Sequence, residues 1–473
     1  MESSNPASNN SGSWSIYTRP DVTAKYKILE RIGSGTFSDV YRAERLSDGL
    51  TVALKEIHDY QSAYREIEAL QILNATASPN VVAMHEYFWR EGDDAVLVLE
   101  YLRTDLSAVI RDAKKKGIIS VGEIKRWMIQ ILQGLAHSHS NFVLHRDLKP
   151  SNLLISDDGL LKLADFGQAR ILSDSAYSAV NADPQTEDSN MKDQANFDTL
   201  NIPNSAEEYC GNQGQENVSR KEYATDLRPE QIADETDKDS NFNDGDTSCL
   251  ATCATSDIEY DPFDGSFSNL AEDSVQDDAD GGPFTSCVGT RWYRAPELLY
   301  GSTNYGLPVD LWSLGCIFAE LFSLEPIFPG TSDIDQISKI FNVLGNLTEE
   351  TWPECTKLPD FKTISFAAVE NPTGIAACLP NRSPDEVNII KKLLCYDPQD
   401  RATAVELLQD RYFEEEPLPC QVSELRVPLE SSGMDEGSGG WDEFGRMDSD
   451  SDFEDFGPVD VKTTSSGFSI RFP

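Results

Sequence analysis

Three chemically different groups stand at short offsets in one run of the sequence, HRDLKPSN (residues 145–152). Asp147 carries a carboxylate, Lys149 an ammonium and Asn152 an amide, and another carboxylate follows at Asp165 in the triplet DFG. A carboxylate can accept a hydroxyl proton, an ammonium can neutralise charge that develops on oxygen, and carboxylate and amide oxygens are good ligands for Mg²⁺. Together these groups suit the transfer of a phosphoryl group to a hydroxyl.

Both motifs resemble those of protein kinases, and the resemblance implies a role for each residue. Asp147 would accept or orient the proton of the substrate hydroxyl, and Lys149 would stabilise charge on the transferring phosphoryl group. Asn152 and Asp165 would ligate magnesium. Lysine at position 149 is what serine/threonine kinases show in this loop, whereas tyrosine kinases differ there.

A glycine loop, GSGTFSDV, occupies residues 33–40. Small residues there let backbone N–H groups approach nucleotide phosphates, although the loop alone is weak evidence. A dinucleotide-binding loop would open a helix, but the following residues predict a strand and a hairpin, which favours the kinase arrangement. Serine replaces the third glycine of the kinase loop. The predicted nucleotide contacts here are Ile32, Gly33, Ser34, Gly35, Thr36, Phe37, Ser38, Asp39 and Val40.

The strand motif VALK (residues 52–55) follows and ends on Lys55. The resemblance implies that Lys55 holds the α- and β-phosphates of ATP and that Glu66, in YREI, positions it from a helix. The alternatives are an exposed strand lysine and a surface glutamate, and the order of the motifs favours the catalytic interpretation. Leu99 would line the pocket behind adenine. The remaining predicted ATP contacts are Ala53 and the hinge residues Glu100 and Leu102, the last two through backbone groups.

Further residues are implied to be architectural. Glu297, in the triplet APE, would close the activation segment and pair with Arg401. Asp310, in VDLWSLGC, would brace the catalytic loop.

Two threonines precede the triplet APE and are candidates for regulatory phosphorylation. Thr285 matches the position that activating kinases phosphorylate, where a phosphate could pair with Arg146 and order the loop. Thr290 matches the threonine that contacts the catalytic aspartate and lysine, and phosphorylation there remains an alternative. The third interpretation, that both are ordinary loop hydroxyls, is less favoured.

The run GTRWYRAPELLYGSTNYGLPVDLWSLGC resembles the cyclin-dependent kinase branch. Several other stretches, including SDSDFEDFGP in the acidic tail, resemble the plant F-type cyclin-dependent kinases. That family phosphorylates the activation-loop threonine of other cyclin-dependent kinases, so these are the expected protein substrates. Glu66 lies only 11 positions after Lys55, and QSAYRE replaces the cyclin-contacting run, so we expect that no cyclin is required. Phe37 replaces an inhibitory tyrosine of the relatives. The alternatives are a kinase for the C-terminal domain of RNA polymerase II and, because of Ser38, a pseudokinase scaffold.

The elements that must position these groups form a β-rich first part and a helix-rich second part, which predicts a two-lobed α+β kinase fold. Ser47-Asp48-Gly49 predicts a hairpin turn, and Ser120 with Glu123 predicts a capping box. Apolar helical segments recur at 309–324, 334–344 and 386–395. We expect a disordered N-terminus at 1–24, an N-lobe at about 25–102, a C-lobe at about 103–413 and an acidic disordered tail at 414–473. An acidic, disordered insertion at about 171–283 would interrupt the activation segment.

The formal net charge of −42 is concentrated in that insertion and in the tail. Residues 171–283 hold 27 acidic and 5 basic residues, and residues 414–473 hold 15 and 4. This argues against a direct nucleic-acid surface, which needs clustered Lys and Arg. The insertion is either solvated without a direct role or a polyanion that favours basic partners.

No apolar run is long enough for a membrane span, and the start lacks the features of a signal peptide. The chain is therefore expected to be soluble, with no membrane partner. Nine cysteines at scattered spacing are expected to be reduced thiols. This favours the nucleus or the cytoplasm, or both.

Overall fold

The computed structural model describes residues 15–428 except 36, 90–93, 118, 173–284 and 287, together with the backbone of 460–464 and 467–472. Its first part is an antiparallel five-stranded sheet with the strand order β1-β2-β3-β5-β4. The predicted turn joins β2 to β3, where Gly49 takes a positive φ of 75°. The strands are β1 (Tyr26–Ser34), β2 (Ser38–Arg45), β3 (Thr51–Ile57), β4 (Met84–Phe88) and β5 (Ala95–Glu100).

One long helix packs on this sheet. The helix begins after Asp59, whose side chain accepts a hydrogen bond from the backbone N–H of Ser62 at 2.7 Å. It places Glu66, Ile67 and Leu70 on its buried face, because residues three and four apart share a side of a helix.

The second part of the chain is mainly helical, as predicted. The capping box at Ser120 and Glu123 is present and starts a helix of 20 residues. A later helix is buried at every residue from Val309 to Phe322, so it forms the centre of this lobe. The helices are α1 (Pro20–Thr23), α2 (Tyr60–Ala75), α3 (Leu106–Lys116), α4 (Val121–Ser140), α5 (Pro296–Leu299), α6 (Pro308–Ser323), α7 (Asp333–Leu344), α8 (Ile375–Cys378), α9 (Pro384–Lys391) and α10 (Ala404–Leu408).

Two small sheets hold the loops that carry the predicted chemistry. One comprises β6 (Thr104–Asp105), β8 (Leu153–Ile155) and β9 (Leu161–Leu163), and the other pairs β7 (Val143–Leu144) with β10 (Arg170–Ile171). The loop that contains Asp147 therefore runs from β7 to β8. The loop that contains Asp165 runs from β9 to β10, so each loop is fixed at both ends. The predicted two-lobed α+β architecture is confirmed.

The prediction that residues 1–24 are disordered is wrong for residues 15–24. Residues 15–24 contain a short 3₁₀ turn and α1, and the side chains of Ile16 and Val22 are fully buried. These side chains pack on the face of the sheet opposite α2, together with Tyr41, Leu54 and others. The Ser- and Asn-rich composition of the first residues concealed these apolar anchors, and residues 1–14 lie outside the described residues.

The tail is also not disordered from residue 414 onward. Residues 414–428, which we call the strap, pack against α4: Arg426 forms an ion pair of 2.6 Å with Glu123, and the side chain of Leu425 is 8% exposed. Two strands follow, β12 (Asp460–Thr464) and β13 (Gly467–Phe472), and β13 pairs with β11 (Ile364–Phe366). Averaging the charge over the whole tail hid these short apolar and basic pieces.

The folded lobe extends slightly beyond the predicted start of the insertion at residue 171. Ile171 is still in β10, and the side chain of Leu172 is 5% exposed, so both belong to the folded lobe. The rest of the predicted insertion lies outside the described residues. Across the described part of the chain, no helix is both long and apolar enough to cross a membrane.

Candidate active site

A lysine and two carboxylates meet between the two lobes. Nζ of Lys55 lies 2.9 and 2.6 Å from the two carboxylate oxygens of Glu66 and 2.8 Å from Oδ1 of Asp165. Glu66 is 1% exposed and the side chain of Asp165 is 46% exposed. The buried carboxylate therefore orients the lysine, and the exposed one faces the opening between the lobes.

Burial and charge act in opposite directions on these groups. Burial alone would lower the pKa of Lys55, but Asp165 and Glu66 raise it above its usual range. Burial alone would raise the pKa of Asp165, but Lys55 brings it to about 2. Burial raises the pKa of Glu66 and Lys55 only partly offsets this. Lys55 and Asp165 are therefore both charged at neutral pH.

The backbone at Asp165 takes a positive φ of 63°, which is unusual for a residue with a side chain. The next residue, Phe166, is fully buried, and its ring lies 4.7 Å from that of His145. Nε2 of His145 lies within hydrogen-bonding distance of the backbone oxygen of Ala164, at 3.0 Å. Packing on both sides of Asp165 therefore holds the turn that presents its carboxylate.

The predicted catalytic loop brings its three groups together. Nζ of Lys149 lies 2.9 Å from Oδ2 of Asp147. Nδ2 of Asn152 donates to the backbone oxygen of Asp147 at 2.9 Å and to its Oδ2 at 3.2 Å. Because the amide nitrogen of Asn152 is used in this way, its Oδ1 is the atom left to act as a ligand.

Asp310 braces this loop from α6. Its carboxylate accepts hydrogen bonds from the backbone N–H groups of His145 at 2.9 Å and Arg146 at 2.8 Å, and it lies 2.9 Å from Nε2 of His139. Burial alone would raise the pKa of Asp310, but His139 and His145 lower it. Arg146 has a positive φ of 68°, so these bonds hold the loop in a strained conformation.

Thr290 reaches the catalytic loop although 143 positions separate it from Asp147. Its backbone N–H and its Oγ1 both donate to Oδ1 of Asp147, at 2.8 and 2.7 Å. Nζ of Lys149 donates to the same Oγ1 at 2.9 Å. The hydroxyl of Thr290 therefore links the lysine to the aspartate, as the resemblance implied.

Arg146 connects the catalytic loop to Thr285 through hydrogen bonds to Tyr305. It is 4% exposed, and its Nη1 donates to Tyr305 Oη at 2.9 Å. That hydroxyl in turn donates to the backbone oxygen of Thr285 at 2.6 Å. Burial lowers the pKa of Arg146, and the charges of Arg65 and Arg170 lower it further. Within the described part of the chain, Nη2 of Arg146 has no hydrogen-bond partner.

Arg65, Arg170 and Tyr305 were not identified from the sequence. Arg65 directly precedes Glu66, and Arg170 lies five residues after Asp165, so their positions relative to the motifs were available signals. Tyr305 had no comparable signal, because only the fold brings it to Arg146.

The predicted nucleotide loop is a turn between β1 and β2. Gly33 pairs with Val40 and Ser34 pairs with Asp39, and the backbone N–H of Gly35 donates to the oxygen of Ser38 at 2.8 Å. The Asp39 carboxylate lies 3.5 Å from Nη1 of Arg31, and Phe37 is 57% exposed. Ile32 is half-buried in β1. Thr36 lies outside the described residues.

The predicted adenine contacts lie at the junction of the lobes. Ala53 pairs with Leu99 across β3 and β5, and both belong with Leu102 to the main apolar cluster. The side chain of Glu100 accepts from the backbone N–H of Ala83 at 2.7 Å and from Lys162 at 2.8 Å. Its carboxylate is thus occupied, which is compatible with the expected backbone role.

Glu297 and Arg401 form the expected architectural pair. Nη1 and Nη2 of Arg401 donate to the two carboxylate oxygens at 2.6 and 2.8 Å. The side chain of Arg401 is fully buried and that of Glu297 is 4% exposed. This bidentate pair ties α5 to the region just before α10.

The donor set fits magnesium when substrate oxygens complete the shell. Asp165 supplies an ionised, partly exposed carboxylate and Asn152 supplies an amide oxygen, and both ligand types suit this cation. In the described residues, no group of three or more His, Cys, Asp or Glu side chains could hold a metal ion by itself. Mg²⁺ typically binds through one or two protein ligands together with phosphates and water.

Comparison with known proteins gives consistent matches. The model of the protein kinase domain matches residues 26–185 and 267–413. Cyclin-dependent kinase F-1 of Arabidopsis thaliana is 59% identical over 476 residues, which cover 98% of this chain and 98% of that protein. A CAK complex from Chaetomium thermophilum bound to ATP-gamma-S has a TM-score of 0.55 and 28% identity, over 85% of this chain and 95% of that chain. The yeast RNA Pol II CTD kinase CTDK-1 complex has a TM-score of 0.55 and 26% identity, over 84% of this chain and 95% of that chain.

Proposed function

The chain belongs to the protein kinase family, and from this premise we propose that it transfers the γ-phosphoryl group of ATP to serine or threonine in other cyclin-dependent kinases. The acceptor is their activation-loop threonine. The observation that carries the catalytic part is the meeting of Lys55, Glu66 and Asp165 beside the Asp147 loop. The substrate class is supported by the 59% identity to Cyclin-dependent kinase F-1 over nearly the whole of both chains.

Each residue of the site has a separate role in phosphoryl transfer. Lys55, oriented by Glu66, holds the α- and β-phosphates, and the loop between β1 and β2 contributes backbone N–H groups. Asp147 orients the acceptor hydroxyl and takes its proton, and Lys149 stabilises the charge on the transferring group. Lys149 also favours a serine or threonine acceptor, as its position implied.

Asn152 and Asp165 are the residues that would hold magnesium. When bound, the ion supplies positive charge to the phosphate oxygens. Asp165 is suited to this task because its low pKa keeps it ionised. Adenine is held by backbone groups at Glu100 and Leu102 and lies against the apolar side chain of Ala53.

We also propose that activity requires no cyclin-like subunit. The carrying observation is that α2 lies inward in the single chain, with Glu66 already 2.6 Å from Lys55. The end of α2 is anchored within the chain: Nε2 of His137 in α4 lies 3.0 Å from the backbone oxygen of Leu73. Asn74 adds a second anchor, since its side chain bonds to Val82 and Met84 of the next segment.

Thr285 is the favoured site of activating phosphorylation. Its backbone is linked to Arg146 through Tyr305, and Arg146 has a buried nitrogen without a hydrogen-bond partner in the described residues. A phosphate at this threonine would bring negative charge to the guanidinium groups of Arg146, Arg65 and Arg170. Such a contact would order the segment that precedes Thr290.

A second candidate is a kinase for the C-terminal domain of RNA polymerase II. The observation in its favour is that the CTDK-1 complex gives the same TM-score of 0.55 as the CAK complex. A pseudokinase scaffold has weaker support. Ser38 replaces only the third glycine of the nucleotide loop, and the polar residues of the site are in place: Lys55, Glu66, Asp147, Asn152 and Asp165.

One experiment separates these functions. The purified chain, with ATP and Mg²⁺, is given either a catalytically dead cyclin-dependent kinase or the polymerase domain at matched concentration, and Asp147→Asn is the control. Transfer to the activation-loop threonine that the control lacks supports the proposal. Transfer to the polymerase domain alone favours the second candidate. ATP binding without transfer to either would favour the scaffold, and restoration of transfer by an added cyclin would refute independence.

A further inference from the structure

The short strand β11 is held in place on the helical lobe by contacts within that lobe. Ile364 is 2% exposed and Ser365 is exposed, so the strand turns one side to the core and the other to solvent. Its start is held by the Ile364 N–H, which donates to the backbone oxygen of Asp360 at 2.9 Å. Beyond its end, Asn346 donates to the backbone oxygen of Ala367 at 3.0 Å. These bonds fix the strand within the lobe itself.

The strand partner of this edge comes from the end of the chain. β11 pairs in parallel with β13, with Ile364 opposite Ile470 and Phe366 opposite Phe472. β13 pairs on its other side with β12, so the three strands have the order β11-β13-β12. Among the described strands, β13 is the only one that covers the edge of β11.

The sequence of this C-terminal hairpin, residues 460–472, suits an added strand pair. Apolar residues alternate with polar ones at Phe468, Ile470 and Phe472, which is the pattern of a strand with one apolar face. In the backbone register, Asp460 is opposite Arg471 across the hairpin. An isolated two-stranded hairpin is marginal in water, so pairing with β11 as a third strand would stabilise it.

The segment between the strap and the hairpin allows this contact to form within one chain. Residues 429–459 are 31 residues with 10 acidic and 1 basic side chain. A chain of this length can span at most about 100 Å, so its length permits the contact. Because β11 and β13 belong to one chain, their pairing is an intramolecular step and does not depend on the protein concentration.

We propose that β11 is a docking edge for an extended strand and that the C-terminal hairpin is its tethered occupant in cis. The recognition is β-strand addition, in which backbone hydrogen bonds supply the affinity and alternating apolar side chains the selectivity. Displacement of the hairpin would open the edge to a competing strand of the same chemistry: extended, alternating and without proline. The edge adjoins α7, because Phe366 packs 5.1 Å from Phe341. Asp333 at the other end of that helix holds Arg294 beside Thr290, so an occupant would lie on the lobe that receives substrate.

Hydrogen exchange of the full chain tests the proposal. Ile470→Pro removes a strand N–H and breaks the ladder, and Ser449→Pro in the linker is the matched control. Neighbouring N–H groups of a strand point to opposite sides, and that of Ile364 bonds to Asp360, so the Ser365 N–H is the one on the side of β13. We expect exchange at Ser365 to become at least tenfold faster in Ile470→Pro and to stay within about twofold of wild type in Ser449→Pro, since a tenfold change is within the range for one lost hydrogen bond. The Ile364 amide is an internal reference, because its bond to Asp360 does not involve the hairpin.

Two further measurements complete the test. A synthetic peptide of residues 458–473, added at millimolar concentration to Ile470→Pro, should restore slow exchange at the edge. Protection in the wild-type chain should not change with protein concentration. Unchanged exchange in Ile470→Pro, or failure of the peptide to restore protection, would refute the docking edge. Protection that grows with protein concentration would refute the cis occupant and indicate exchange of hairpins between copies.

Discussion

Removal of the Thr290 hydroxyl should slow phosphoryl transfer without unfolding the protein. Thr290→Val keeps the shape of the side chain but removes Oγ1, which donates to Asp147 at 2.7 Å and accepts from Lys149 at 2.9 Å. Hydrogen bonds to charged groups contribute about 1.5–3 kcal/mol each. Loss of one such bond in the transition state predicts a fall in rate of between about tenfold and about 150-fold.

The assay is single-turnover transfer from ATP to a saturating acceptor, with Thr290→Ser as the matched variant because it keeps the hydroxyl. We expect Thr290→Ser to remain within about threefold of wild type, since only a methyl group is lost. Thr290→Asp should be less active than Thr290→Val, because it places a carboxylate beside Asp147. Wild-type rates in Thr290→Val would refute the linking role, and an active Thr290→Asp would instead favour activating phosphorylation at this position.

Three other measurements follow from the structure. Arg401→Met should lower the free energy of unfolding by about 3–5 kcal/mol because it leaves the Glu297 carboxylate buried and unpaired. Adding Glu297→Met should restore part of this loss but not all, because Arg401 also donates to the backbone oxygens of Cys395, Tyr396 and Pro308. Equal losses in single and double variants would contradict this. Arg426 holds the pKa of Glu123 at about 2, below the unfolded value, so this pair stabilises the fold above about pH 4.5 and the contribution is lost as pH falls towards 2. Denaturation of wild type and Arg426→Ala should therefore differ at pH 7 and converge at low pH, and a difference independent of pH would count against it. Phe37 is 57% exposed, so Phe37→Tyr should become a substrate for tyrosine-directed inhibitory kinases while wild type keeps its activity; inhibition of wild type by the same treatment would contradict this.

The kinase assignment was available from the sequence because its motifs are local. The capping box at Ser120, the turn at Gly49 and the catalytic run at 145–152 each depend on residues a few positions apart. The family and fold predicted from these motifs are confirmed by the match to the protein kinase domain and by the two-lobed structure. Such signals survive without knowledge of the fold, because backbone geometry alone relates neighbouring residues.

The two ends of the folded part were mispredicted because the residues that anchor them are isolated in the sequence. Ile16 and Leu425 lie in segments whose average composition is polar or acidic, and a single buried side chain has little weight in such an average. Their burial depends on surfaces that exist only after the sheet and α4 have formed. The ion pair between Glu123 and Arg426 spans 303 positions, which no local pattern reveals.

The sequence by itself determined which groups are present and in what order: the lysine, the carboxylates and the amide of a phosphoryl-transfer site. Only the tertiary structure decided which of them touch. Lys55 meets Asp165 across 110 positions, and Lys149 meets Thr290 across 141. It also decided that Arg146 turns towards Tyr305 and that the end of the chain lies beside β11. The physical reason is that short-range order is encoded by neighbouring residues, whereas these contacts form only when the burial of apolar surface folds distant segments together.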